Sequence, residues 1–185
     1  MSDIVIVSAA RTPVGSFNGS FTDMSAADLG SIAIKEAINR AKVKTSEVSE
    51  VIMGQVLTAS CGQNPARQAS INAGIPNEIT AYTINQVCGS GLRSIALGWQ
   101  SIMNDESEII VAGGQENMTQ APHCFHLRQT GKIGDAEMID SMIKDGIWDI
   151  FNGYHMGVTA ENVAEKWQIT RDQQDEMALN SQLKA

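Results

Sequence analysis

The sequence predicts an α/β layered fold over its first 118 residues, and three observations carry that expectation. Short β-branched apolar runs alternate with stretches of helical period. Runs such as Ile4-Val5-Ile6-Val7 and Ile109-Ile110-Val111-Ala112 are continuous rather than alternating, as in strands covered on both faces. Glycine, 16 residues in all, clusters after the strand-like segments, where a chain turning into a helix needs room.

Taken in order, Ile4 to Val7 is expected to be the first strand. Ala26 to Ala41 reads as a helix with Leu29, Ile32, Ala33, Ala37 and Ile38 on one side. Val48 to Leu57 is strand-like around Val51-Ile52-Met53, although Gly54 interrupts it. Asn64 to Ala73 is a short helix, with Asn64 able to cap it and Pro65 suited to its first turn. Ala81-Tyr82-Thr83-Ile84 is a short buried strand. A helix follows with Leu92, Ile95, Ala96, Trp99, Ile102 and Met103 on one apolar face. Ile109 to Ala112 is another buried strand, ending at Gly113-Gly114.

After Met118 the texture changes, so the chain divides into residues 1–118 and 119–185. Thr119 to Gly134 reads as an excursion or loop, and Ala136 to Asp145 as a helix. Thr159 to Trp167 is helical, with Ala160, Val163, Ala164 and Trp167 on one face. Thr170 caps a last helix, with Gln173 at the capping-box position. That helix runs from Arg171 to Ala185 without a stop signal, which is the pattern of a fragment of a longer protein.

The 185 residues are 43% hydrophobic and 18% charged, as in globular chains. A formal net charge of −8 argues against a general nucleic-acid surface. Cys61, Cys88 and Cys124 are odd in number and widely spaced, with no CxxC, so a reducing cytoplasm fits better than a disulfide framework. No apolar run approaches membrane-spanning length, and Met1 leads straight into strand-like residues with no leader pattern.

One segment is chemically distinctive. Asn85-Gln86-Val87-Cys88-Gly89-Ser90-Gly91 puts a cysteine at the turn between an apolar strand and an amphipathic helix. Unpaired N–H groups and the positive end of the helix dipole converge at such a point, and cysteines so placed serve as thiolate nucleophiles. Gly89 and Gly91 leave space for a substrate to approach. The bland alternative is a structural cysteine packed at a strand end.

Several runs together resemble the thiolase family, specifically the biosynthetic acetyl-CoA acetyltransferase type, along the whole chain. They are VSAARTP from Val7 to Pro13, GQNPARQA from Gly62 to Ala69, NQVCGSGLRS from Asn85 to Ser94, AGGQENM from Ala112 to Met118 and YHMGVTAENVAEKW from Tyr154 to Trp167. The resemblance implies a five-layered αβαβα fold of two similar halves, of which this chain is the first half plus the start of the inserted loop domain. The family's later motifs are absent: an asparagine in an NAS segment, a GHP histidine and a second cysteine in a glycine-rich CxGGG run.

The resemblance also implies roles. Cys88 carries the acyl group as a thioester in the Claisen condensation of two acetyl-CoA to acetoacetyl-CoA and its reversal. His155, Met156 and, less directly, Ile147 match contacts to the pantetheine arm of coenzyme A. Without the family, His155 reads as a structural histidine and Met156 as core. Pro122 to Gly134 resembles the loop through which dimers pair into tetramers. Coenzyme A thioesters are substrates, no cofactor is called for, and no nucleic acid or membrane partner is expected.

His123, Cys124 and His126 fit no standard zinc spacing, so no metal is expected. Cys61 lacks a following Gly-x-Gly and reads as structural. Glu116 reads as a carboxylate bonded to neighbouring backbone, against an acid–base alternative. For Arg67 and Arg93 the default is an ion pair, against phosphate binding. A dinucleotide-binding reading of Gly89-Ser90-Gly91 lacks its third glycine, replaced by Ser94, and leaves the cysteine unexplained. The related condensing enzymes, ketoacyl-carrier-protein and hydroxymethylglutaryl-CoA synthases, share the cysteine logic, but HMGVTAEN and GQNPARQ favour thiolase. The alternative function is a non-catalytic truncated subunit or assembly partner, and the 185 residues alone are expected to be inactive and prone to self-association.

Overall fold

A computed structural model describes residues 3–126, 128 and 135–184. These fall into two compact units, Met1–Met142 and Ile143–Ala185. Residues 127, 129–134 and 185 lie outside the described residues, and with them most of the Pro122–Gly134 tetramer-loop reading.

The first unit is built on a parallel three-stranded sheet in which β1 (Glu50–Gly54) lies between β2 (Thr80–Ile84) and β3 (Ile110–Gly114). The ladders are in register from Glu50 opposite Thr80 and Ile110 to Gly54 opposite Ile84 and Gly114. The chain leaves β1 through α2 (Pro65–Asn72) to reach β2 on one side. It then crosses through α3 (Ser90–Met103) to β3 on the other side. Right-handed crossovers made in opposite directions put their helices on opposite faces of a sheet.

The two faces are packed accordingly. Val51 and Met53 join Ala27, Ile34 and Ile38 of α1 (Ala26–Ala41) and Ala66, Ala69 and Ala73 around α2 in one core. The alternate residues Ile52 and Gly54 point to the face that α3 covers. The first helix starts at Ser25, whose Oγ accepts from Asp28 N–H while Asp28 Oδ2 accepts from Ser25 N–H. Asn64 caps α2 through Arg67 N–H, with Pro65 in the first turn, as the sequence predicts.

Three expectations are corrected. Ile4 to Val7 forms no strand, and Val5, Ile6 and Val7 are exposed. The segment is tied to α1, not to a strand edge: Ser8 Oγ donates to Ala37 O at 2.7 Å and Arg40 Nη1 to Ala9 O at 3.0 Å. A β-branched run has the propensity for a strand, but only a neighbouring edge makes it one. Ala136 to Asp145 is not a helix. Ile139–Asp140 (β5) pairs antiparallel with His123–Cys124 (β4), and a π-helical turn, Met142–Ile147, follows. Ser141 N–H and Oγ both donate to Pro122 O, so pairing across the excursion overrides helical propensity. In α1, Ile34 is buried and Ile32 exposed, the reverse of the predicted emphasis.

The second unit holds a short hairpin, β6 (Trp148–Asp149) with β7 (Tyr154–His155), then α4 (Met156–Trp167) and α5 (Arg171–Lys184). Asp149 Oδ1 accepts from Phe151 N–H and Asn152 N–H in the hairpin loop, and these bonds with the Asn152 side chain hold its carboxyl below the usual range. The helix α4 begins three residues before the predicted Thr159. Thr170 and Gln173 form the reciprocal cap of α5, as predicted. Among the described residues no helix is long and apolar enough to cross a membrane.

Candidate functional site: a cysteine at the carboxyl end of the sheet

Open parallel sheets bind ligands beyond the carboxyl ends of their strands, at the point where the strand order reverses. Here that point is β1, and the segments after all three strands meet beyond it. Gln55 N–H donates to Ile84 O at 3.0 Å and Gln115 N–H to Gly54 O at 2.9 Å. Val56 N–H and Leu57 N–H donate to the two carboxylate oxygens of Glu116 at 2.8 and 3.1 Å. Asn85 Nδ2 donates to Val56 O at 3.4 Å. Burial pushes the Glu116 carboxyl up, and its two backbone bonds partly oppose the shift. Both carboxylate oxygens are thus engaged by backbone, so Glu116 braces the strand ends.

Cys88 stands on this platform, exposed and free, in the turn from β2 into α3. The turn is closed by Gly89 N–H to Gln86 O and Ser90 N–H to Val87 O, both 3.1 Å. The first helical bond is Arg93 N–H to Gly89 O at 2.9 Å. The helix is seated close to β1. A Cβ built on Gly54 would lie 2.6 Å from Ser90 carbonyl carbon and 2.8 Å from Gly91 N, so only glycine fits there. Further along, Ser94 Oγ donates to Gly113 O at 2.8 Å, and Gly98 packs on Ile110.

The buried face of α3 is therefore Ser90, Ser94 and Gly98. The apolar face read from the sequence is real but points away from the sheet: Leu92 is 76% and Trp99 51% exposed, with Ile95 and Met103 also exposed. Small residues win the contact because they let the helix backbone approach the strand ends.

The coenzyme A candidates lie in the second unit. His155 pairs with Trp148 in the hairpin, Ile147 ends the π-helical turn just before Trp148, and Met156 opens α4 just after His155. His155 also caps α4, with Nδ1 accepting from Gly157 N–H at 3.0 Å. A neutral imidazole that accepts at Nδ1 carries its proton on Nε2. Met156 opens the helix, partly exposed. Cys88 belongs to the first unit.

Other candidates resolve into structure. Cys61 Sγ donates to Leu57 O at 3.4 Å and accepts from Gln55 Nε2 at 3.5 Å. The Arg67 guanidinium caps Ile79 O and Asn77 O, in place of an ion pair or a phosphate. His123 Nε2 is 3.8 Å from Asp140 Oδ2, and no group of three or more His, Cys, Asp or Glu gathers among the described residues. Asn85, Val87 and Ser90 stand in the motif around Cys88, but the sequence alone assigns them no role of their own. The signals were slight: a turn-forming asparagine, and a serine between glycines.

A family model described as thiolase, N-terminal domain, matches residues 4–185. The acetyl-CoA acetyltransferase of Rhizobium meliloti (strain 1021) is 62% identical over 182 residues, which are 98% of this chain and 46% of the relative. That of Paracoccus denitrificans is 58% identical over 185 residues, all of this chain and 47% of the relative. The cytosolic acetyl-CoA acetyltransferase of Rattus norvegicus is 54% identical over 182 residues, 98% of this chain and 46% of the relative. The chain thus spans about half the length of the curated relatives it matches.

Proposed function

This chain belongs to the thiolase family, and from that premise we propose that it supplies the acyl-carrying half of an acetyl-CoA C-acetyltransferase. The observation that carries the reading is the exposed Cys88 at the strand-to-helix turn, set on braced strand ends. The sulfur attacks the thioester carbonyl of acetyl-CoA. A carbon–sulfur bond forms to Cys88, the bond to coenzyme A breaks, and coenzyme A leaves as the thiol with the proton given up by the cysteine. The backbone N–H of Cys88 itself, at the start of α3, is the donor to the developing oxyanion. Ile147, His155 and Met156 receive the pantetheine arm, and no cofactor enters the reaction.

Condensation then needs a base that makes the enolate of a second acetyl-CoA. The family's histidine, second cysteine and asparagine motifs are not among the 185 residues. The chain alone therefore accepts an acetyl group but does not turn over. In a protein of the relatives' length the product is acetoacetyl-CoA, or acetyl-CoA in the reverse direction. The whole protein is a cytoplasmic homo-oligomer, a dimer or tetramer on the family pattern, and its free cysteines suit a reducing compartment.

Limiting iodoacetamide followed by peptide mapping tests the central residue. Cys88 is labelled before Cys61 and Cys124, both of which are partly buried. Preferential labelling of either other cysteine would count against the assignment. In acetoacetyl-CoA cleavage with free coenzyme A, the 185-residue chain and its Cys88→Ala variant show the same background. Cysteine-dependent turnover by the chain alone overturns the division of labour.

A further inference from the structure

Val87, the residue before Cys88, has φ +50°. Seven non-glycine residues have positive φ among the described residues, and Val87 alone of them is β-branched. Lys42 and Gln168 are ordinary left-handed helix caps, and Asn64 caps α2. A β-branched residue in this region is strained, and such strain persists only where surrounding contacts hold it.

The contacts that hold it are in place. Val87 N–H donates to Asn85 Oδ1 at 2.8 Å. Ser90 Oγ donates to Val87 O at 2.5 Å and accepts from Gln86 N–H at 2.8 Å. Ser90 is buried, 4% exposed, directly against Gly54 of β1. Both backbone polar groups of Val87 are therefore fixed by side chains, and one of those side chains is anchored to the sheet. Packing does not demand a left-handed valine here, since the residue is 48% exposed.

We propose that Ser90, with Asn85, is a positioning residue that clamps Val87 in the left-handed conformation and so fixes the Cys88 sulfur and N–H for attack on an acyl thioester. This rests on Cys88 being the acyl carrier. Neither clamp residue touches the reacting atoms. They set the angle from which the sulfur meets the carbonyl carbon and from which an N–H meets its oxygen.

Two probes applied to the chain separate aiming from exposure. S-acetyl-N-acetylcysteamine needs an aimed sulfur and a placed oxyanion donor, and it leaves an acetyl group on Cys88 that peptide mass mapping reads. Iodoacetamide needs only an accessible sulfur. Ser90→Ala slows Cys88 acetylation about tenfold, well inside what a small misplacement of reacting groups costs. It leaves Cys88 alkylation within about twofold, because that reaction follows thiol access and ionisation rather than aim. Asn85→Ala, at an exposed position, gives the same split without emptying a buried site. Val87→Gly added to Ser90→Ala restores most of the acetylation rate, because glycine holds positive φ without a clamp.

Equal losses with both probes accompanied by a lower melting temperature, unchanged acetylation in both single variants, or no recovery in the double variant each overturn the proposal. Failure of the unsubstituted chain to acetylate Cys88 overturns the acyl-carrier reading itself and takes the clamp with it. Normal acetylation of that chain with an indifferent Ser90→Ala overturns the clamp alone.

Discussion

The two faces of the central sheet are covered in opposite ways. On one, α1 and α2 bring large aliphatic and alanine side chains onto Val51 and Met53, and the apolar periodicity of α1 is spent in the core. On the other, α3 meets the sheet through Ser90, Ser94 and Gly98 and turns Leu92, Ile95, Trp99 and Met103 outward. The first face gains stability from buried area. The second gives that up for proximity, and proximity seats the start of α3 beside the end of β1, where the turn carrying Cys88 is built. An apolar stripe on a helix thus shows that it has a face to cover, not which neighbour covers it.

Ile34→Ala should do the greatest damage. Ile34 is almost fully buried in the aliphatic core, and the change should cost about 2–5 kcal/mol in urea or thermal unfolding. A loss under ~1 kcal/mol would show that α1 does not carry the core as its packing indicates.

Gly54→Ala attacks the other face. The new methyl would meet backbone atoms of Ser90 and Gly91, which cannot rotate away. A destabilisation of about 1–3 kcal/mol is expected from such overpacking, with slower acetylation of Cys88 as α3 lifts. Full stability with unchanged acetylation would dissolve the contrast between the faces.

Glu116 offers a smaller, pH-dependent contrast at the end shared by both faces. Its folded carboxyl is raised by burial, so over the window between the ordinary glutamate value and that raised value the folded state holds a proton the unfolded state has released. Stability from this group is full below the window and falls as pH rises through it. The urea midpoint of the chain minus that of Glu116→Gln should fall with rising pH across that window. A value that rises with pH there would reverse the assignment.

Trp99→Ala should change stability least, by no more than ~0.5 kcal/mol for a surface substitution. A loss comparable to that at Ile34 would mean that the outward face of α3 is packed after all.

Much of this was legible beforehand, for identifiable reasons. Asn64 with Pro65 and Thr170 with Gln173 announce their helix starts because capping is local chemistry, settled within four residues. Cys88 was visible because glycines follow it at a strand-to-helix boundary. The misreadings all needed information from elsewhere in the chain. Ile4 to Val7 has strand composition, but its described anchors are Ala37 and Arg40 of α1. Ile139–Asp140 is captured by His123–Cys124. Valine carries no hint of left-handed backbone, so the clamp at Val87 emerges only in three dimensions.

The brace at Glu116 has a consequence in time. Its bonds to Val56 and Leu57 close loops of 60 and 59 residues, whereas the bond between Gln86 N–H and Ser90 Oγ spans four. Closing a long loop costs more chain entropy than closing a short one, and distant contacts are made later as a domain folds. The turn around Cys88 can therefore take shape while the sheet is still assembling, and the brace locks a turn already formed. In pulsed hydrogen exchange during refolding, Gln86 N–H should gain protection before Val56 N–H does.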